Sequence, residues 1–250
     1  MDIIERQRIK SKHIKRHPWE SARLNFIIQI LSKQKEKFQH ILDVGSGDVY
    51  VLNNLAQRHF ATYYTAVDTA FTFEVIQDLK ADPAIQLLKE IPKRIKPTSD
   101  CVLLLDVLEH CENDQSVLVS LMHENLVQQN AIFLITVPAY QTLFGDHDIA
   151  LGHYRRYDIA QLKQLISHAG LKEIESGYFF FTLLFLRFLQ LKTSRLINKK
   201  SGKTVDNWNG NIFLTKLLEF ILIFDFRIGR FFKKIGIQIP GLSAYCLCKA

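Results

Sequence analysis

A doubly wound, mostly parallel α/β sheet is predicted by three observations. Short apolar runs alternate with segments of helical period. One run passes through two glycines directly into a helix pattern, in "HILDVGSGDVYVLNNLAQ", residues 40 to 57. The runs are continuous rather than alternating, as strands buried on both faces require.

In chain order, "WESARLNFIIQILSK" places Leu24, Ile27, Ile28 and Leu31 at helical spacing, so a packed helix precedes the glycine turn. "HILDV" and "YYTAVD" are buried strands separated by a helix carrying Val51, Leu52, Leu55 and Ala56. "DCVLLLDVLEH" is a strand that runs out to acidic residues, and "AIFLITVPAY" is another, terminated by Pro138. Between them, Asn113 or Asp114 can cap a helix through Val117, Leu118, Leu121 and Met122. In "YDIAQLKQLISHAGL", Asp158 and Gln161 can form a capping box, Leu162, Leu165, Ile166 and Ala169 make the stripe, and Gly170 stops the helix. "LKEIESGY" and "SAYCLCKA" read as the last two strands. "FFFTLLFLRFLQL" and "IFLTKLLEFILIFDF", joined by the polar "KKSGKTVDNWNG", are too short and too interrupted by Arg187, Lys216, Glu219 and Asp225 to span a membrane.

With 250 residues, 48% of them hydrophobic and 23% charged, the chain can bury a sizeable core as a single globular domain. Its start, "MDIIERQRIKSKHIKR", has charge but no apolar region behind it, so no secretory signal is read and a cytoplasmic protein is expected. Cys101, Cys111, Cys246 and Cys248 form no CxxC pair, and three of them sit in apolar runs, so buried thiols are expected rather than a metal or disulfide role. The net charge of +7 is local: residues 1 to 20 hold six Lys/Arg against three Asp/Glu, and residues 179 to 242 hold eleven against three. Such patches suit an anionic ligand or surface.

In Asp43-Val44-Gly45-Ser46-Gly47, between a strand and a helix, glycines let backbone approach a ligand closely while helix N–H groups face it. Asp68, ending the next strand, can accept hydrogen bonds from two ribose hydroxyls. Val49 and Tyr50 follow Asp48, so the third Gly of a dinucleotide fingerprint is missing. That disfavours a nicotinamide oxidoreductase and leaves S-adenosylmethionine, which needs no pyrophosphate cradle.

"ILDVGSGD", "AVD", "LLLDVLEH", "TVPAY" and "HDIALGHYRRYDIAQLKQLISHAGL" together resemble the class I S-adenosylmethionine-dependent methyltransferases, with the GHYRRY-type segment and the "HPWE" of His17 to Glu20 similar to a bacterial subgroup. The resemblance covers residues 17 to about 180. It implies a seven-stranded Rossmann-like sheet with an antiparallel last strand. The organisation expected is one methyltransferase domain over 1–250, with a helical lead-in over 1–36 and a helical insertion or cap over 179–242, where the family's last two strands usually make a hairpin. By the same resemblance, Asp43, Gly45 and Gly47 line the methionine end of S-adenosyl-L-methionine, Asp68 holds the ribose, and Asp106, Val107 and Leu108 lie beside the cofactor. Glu109 and His110 fall nearer the acceptor. The family commonly has Gly where Val49 stands.

Methyl transfer from a sulfonium is an in-line displacement that needs chiefly alignment, and a base only when the acceptor arrives protonated. The loop "FGDHDIALGHYRRYD" gathers Asp146, His147, Asp148, His153, Arg155, Arg156 and Tyr157 at the ligand-binding edge of the sheet. His147, between two carboxylates expected to raise its pKa, can serve as general base. Asp146, His110 and His153 are further catalytic candidates, with Arg155, Arg156 and Tyr157 on the substrate side. A solvated loop with ion pairs and a helix cap is the structural alternative. In the insertion, Phe179, Phe180, Phe181, Phe185 and Phe188 lie on nearly every face. They suit a packed helical cap, or a lid resting on anionic lipid through Arg195, Lys199, Lys200, Lys203, Lys233 and Lys234.

The expected function is therefore methyl transfer to a hydrophobic or lipid-linked small molecule, at an anionic membrane surface on the inner face, without a metal. An RNA or DNA methyltransferase would also use the positive charge, but "DVLEH" stands where base-amine methylases carry Asn/Asp-Pro-Pro-aromatic, and no RNA-binding module is recognisable. A noncatalytic interaction module of the same fold is the remaining alternative.

Overall fold

The computed structural model describes residues 16–122, 125–197, 208 and 210–250. Most of the basic start, Lys199, Lys200, Lys203 and the side chain of Arg195 lie outside the described residues.

Helix α1 (Pro18–Leu31) leads into β1 (Phe38–Val44), α2 (Tyr50–Gln57), β2 (Ala61–Val67), α3 (Phe73–Asp78), β3 (Ile85–Leu88) and β4 (Ser99–Leu105). Then follow α4 (Asp114–Leu121), β5 (Val127–Pro138), α5 (Asp146–Leu151), α6 (Ile159–His168), β6 (Lys172–Phe179), α7 (Phe181–Ile197), α8 (Ile212–Lys234) and β7 (Ser243–Lys249). The seven strands form one sheet in the order β3-β2-β1-β4-β5-β7-β6. Strands β1 to β5 are parallel, and β7 runs antiparallel between β5 and β6. Asp43 pairs with Ala66 on one side and Leu103 on the other, so the strand ends that carry the expected site residues share one edge. The chain order reverses between β1 and β4, which opens a crevice at that edge.

Alternation along the strands divides the core between the two faces of the sheet. Ile41, Leu103, Tyr245 and Leu247 pack with Phe26, Ile27, Ile30, Leu52 and Leu55 on one face. Leu42, Val44, Leu104, Cys246 and Cys248 pack with Leu118, Leu121, Leu162 and Ile166 on the other. Cys101, Cys246 and Cys248 are buried free thiols. The expected caps form: Asn113 accepts from the Ser116 N–H at 3.0 Å, and Asp158 and Gln161 cap each other's backbone N–H at 2.8 and 3.0 Å.

Three local features differ from the sequence reading. Strand β4 stops at Leu105 instead of running to His110, because Asp106 takes a positive φ of 58° and Leu108–His110 form a 3₁₀ turn. The short elements β3, α3 and α5 carry too few residues to show a period. Finally, only part of the 179–242 segment is packed. Phe26 stacks on Phe179 with centroids 4.4 Å apart and meets Phe226 and Tyr245 edge-on, which ties α8 and β6 to α1. Asp225 caps the first turn of α7 through the N–H and hydroxyl of Thr182, at 2.7 and 3.0 Å. Phe180, Leu184 and Leu222 are buried as well, whereas Phe181, Phe185, Phe188, Phe213, Phe220, Phe224 and Phe231 are exposed. Lys233, expected at a lipid surface, instead donates to the Ser176 carbonyl of β6, and Arg230 pairs with Glu175 at 3.3 Å. Among the described residues, no helix is long and apolar enough to cross a membrane.

Candidate active site

The glycine turn crosses the end of β4 at close range. A Cβ on Gly45, at φ 71°, would lie 2.5 Å from Cγ2 of Val107, so no larger residue fits. Gly47, at φ 55°, donates its N–H to Asp68 at 2.8 Å, and the other Asp68 oxygen accepts from the Ala70 N–H at 2.9 Å. The Asp68 carboxylate thereby bridges the loops after β1 and β2. Val49 stands at φ 54°, a left-handed conformation unusual for a β-branched residue, and its side chain is buried in the core. The backbone therefore takes the conformation a glycine would favour, with the strain offset by burial.

Asp43 is buried, and one of its oxygens accepts from the Ser46 hydroxyl at 2.7 Å. The other has no hydrogen-bond partner among the described residues. Burial pushes its pKa up to about 7. An orphaned buried carboxylate oxygen beside an open glycine turn fits a ligand that brings a cationic donor, such as an amino-acid ammonium. Arg16, just ahead of α1, reaches Asp48 at 2.5 Å and lies 3.8 Å over the Tyr50 ring, which fastens the "HPWE" segment to the far side of this turn.

At the end of β4, Asp106 pairs with Arg23 at 2.7 Å and accepts from the Thr136 hydroxyl at 2.9 Å. Arg23, on α1, also donates to Thr136 at 3.0 Å. No motif or spacing in the sequence pointed to Arg23. Val107 covers Gly45 as described, while Leu108, expected beside the cofactor, is fully buried in the second core face.

A second cluster gathers residues from the 3₁₀ turn and the α5 segment. Glu109 is 1% exposed and, among the described residues, neither carboxylate oxygen has a hydrogen-bond partner; burial first, and the nearby Asp106 second, raise its pKa well above the usual range. The exposed His110 ring meets the His153 ring edge-on, with centroids 4.6 Å apart. His153 Nδ1 lies 2.9 Å from Asp148, whose carboxylate also accepts from Arg156 Nε at 2.8 Å and from the Gly145 N–H at 3.0 Å. Burial alone would push Asp148 up, but the bonds from His153 and Arg156 outweigh it and hold the carboxyl at about 2. An ionised Asp148 only accepts, so the His153 proton belongs on Nδ1 and Nε2 presents a lone pair when the ring is neutral.

This arrangement reverses the expected pKa shift of His147. Asp148 turns inward to His153 and Arg156 instead of supporting its neighbour in sequence. His147 is exposed, and partial desolvation lowers its pKa against the opposing pull of Asp148, where a rise was expected. Asp146 is exposed in the first turn of α5. Arg155, Arg156 and Tyr157 are spent on the protein itself. Arg155 binds the Glu112 carbonyl at 2.6 Å and Asp114 at 3.2 Å, and the buried Arg156 also reaches the Ala139 carbonyl at 3.3 Å. The Tyr157 hydroxyl donates to Asp114 at 2.7 Å; burial first, and this bond second, raise its pKa.

A family of methyltransferase domains matches residues 16–176. No curated protein matches the chain by sequence. Among solved structures, an S-adenosylmethionine-dependent methyltransferase from Archaeoglobus fulgidus is 14% identical, with 93% of each chain covered and a TM-score of 0.53. A Galdieria sulphuraria protein proposed to be a sarcosine dimethylglycine methyltransferase is 12% identical over 92% of this chain and 84% of its own, with a TM-score of 0.55. At these identities the likeness is one of fold.

Proposed function

The chain belongs to the methyltransferase-domain family, whose methyl donor is S-adenosylmethionine, and we propose that its acceptor is a hydrophobic or lipid-linked small molecule met at an anionic membrane surface. The observation that carries this reading is the pair of exposed apolar stripes beside the catalytic sheet. On α8, Phe213, Leu217, Phe220, Phe224 and Phe231 recur at helical spacing, and Phe213 and Phe220 are 77% and 66% exposed. On α7, Phe181, Phe185 and Phe188 do the same. Contiguous exposed aromatics on this scale mark a surface for an apolar partner. The surplus of eleven Lys/Arg over three Asp/Glu between residues 179 and 242 favours an anionic lipid as that partner.

At the site, the cofactor would supply an electrophilic methyl group on a sulfonium. Asp43 would hold its ammonium, Asp68 its ribose hydroxyls, and Gly45 and Gly47 leave room for the backbone to approach. Glu109, His110 and His153 would lie on the acceptor side in this reading, with His153 oriented by Asp148.

Cosedimentation with vesicles tests the membrane part. Binding to vesicles containing anionic lipid, weakened by salt and by Phe213→Ser with Phe220→Ser, and negligible on neutral vesicles, is expected. Absence of binding to anionic vesicles at low salt would remove the membrane and leave a freely diffusing acceptor. Mass spectrometry of lipid and metabolite extracts from cells with and without the gene would then identify the compound that gains one methylene.

A further inference from the structure

We propose that Glu109, His110 and His153 form a binding site for a divalent first-row transition-metal cation. One ligand atom from each of the three lies within 4.8 Å of the others. Donors bound at about 2.1 Å to one ion sit roughly 3 to 4 Å apart, so modest side-chain rotation closes the set. The buried Glu109 carboxylate supplies a second, independent observation: among the described residues, neither of its oxygens has a hydrogen-bond partner. A cation answers both oxygens at once, and among the described residues no side-chain donor does.

The surroundings complete a metal-binding pattern. Nδ1 of His153 faces Asp148 at 2.9 Å, which fixes the ring and leaves Nε2 as the ligand, the carboxylate–histidine arrangement that supports bound metals. Asp148 is in turn held by Arg156 and the Gly145 N–H. The Tyr154 N–H donates to the Glu109 carbonyl at 2.7 Å, joining the backbone of the α5–α6 connection to the 3₁₀ turn that carries Glu109 and His110. The buried Arg156 and Tyr157, engaged with Asp148 and with Asp114 and Leu108, thus brace the metal ligands. Two imidazoles and one carboxylate suit Zn²⁺, Fe²⁺ or Co²⁺ rather than Mg²⁺ or Ca²⁺, which prefer oxygen shells. Three protein ligands leave coordination positions open, and an oxygen of the acceptor can take one. That last use rests on the acceptor reading above; binding of the ion does not.

The test uses the full chain, stripped with a chelator and titrated with Co²⁺ while visible absorption is followed. One equivalent per chain, with d–d bands that Zn²⁺ abolishes, is the expected result. Glu109→Gln and His153→Ala should each remove the bands. Asp148→Asn, which touches no ion, should weaken binding about 10- to 100-fold. His110→Ala alters an exposed side chain, so it should lose the bands while keeping wild-type circular dichroism. A wild-type chain without a saturating equivalent, or bands unchanged in folded His110→Ala and Glu109→Gln proteins, overturns the site. Titration of the same samples with S-adenosylhomocysteine reports separately on the methyltransferase reading.

Discussion

Arg23, on the helix ahead of the sheet, meets Asp106, at the end of the fourth strand, at 2.7 Å, and both contact the hydroxyl of Thr136. The pair joins α1 to the point where the chain turns from β4 toward Val107 and Glu109. Asp106 sits at a positive φ, so its conformation depends on these partners.

Arg23→Ala leaves Asp106 with the Thr136 hydroxyl alone and should destabilise the fold by about 1 to 3 kcal/mol. Arg23→Lys should restore only part, because one ammonium reproduces the forked reach to Asp106 and Thr136 poorly. Urea denaturation of the three proteins measures both; equal midpoints would remove the structural role of Arg23.

Asp43 gives a pH signature. Its folded pKa is raised to about 7 by burial, so the apo protein carries it largely protonated below that pH. The sign for stability follows: a raised carboxyl contributes stability that is complete below its unfolded pKa and is lost as pH rises through about 7. A ligand ammonium favours the ionised form, so S-adenosylhomocysteine affinity should rise between pH 6 and pH 8, with proton release at the lower end. Asp43→Asn should flatten this rise. Calorimetry in buffers of different ionisation enthalpy would detect it, and a pH-independent wild-type affinity would contradict it.

Burial separates two phenylalanines of the same apolar character. Phe26, 2% exposed among Phe179, Phe226 and Tyr245, should cost about 3 to 5 kcal/mol when cut to Ala. Phe185, 56% exposed, should change stability by less than about 0.5 kcal/mol. Thermal denaturation of both variants distinguishes this from a cap packed throughout, in which both would be costly.

Much of this fold was legible in the sequence because its strands are continuous apolar runs and its long helices carry caps, as at Asn113 and Asp158. The positions of the glycine turn and of Asp68 were legible for the same reason: both follow directly on a strand end. Side-chain direction was not. Nothing in "GDHDIALGHYRRYD" shows that Asp148 turns to His153 and Arg156 rather than supporting His147. The expectation of no metal rested on cysteine spacing, which is silent about Glu109 and His110 meeting His153 from a separate segment. The apolar segment over 179–242 hid a different ambiguity, since helices apolar on nearly all faces do not reveal which face is packed.

His153 and His147 should now separate kinetically. His153→Ala should lower the methyl-transfer rate by about 10²-fold or more, while His147→Ala should stay within about 3-fold of wild type. Single-turnover assays with saturating cofactor would decide, and the reverse order would return the catalytic role to His147.

The most direct measurement of the central claim is calorimetric titration of the purified chain with S-adenosylhomocysteine. One site in the micromolar range, about −8 kcal/mol, is predicted, with Asp68→Ala weakening it about 10-fold or more through loss of charge-assisted hydrogen bonds. Binding of NADH in place of S-adenosylhomocysteine would contradict the assignment of the turn from Asp43 to Gly47.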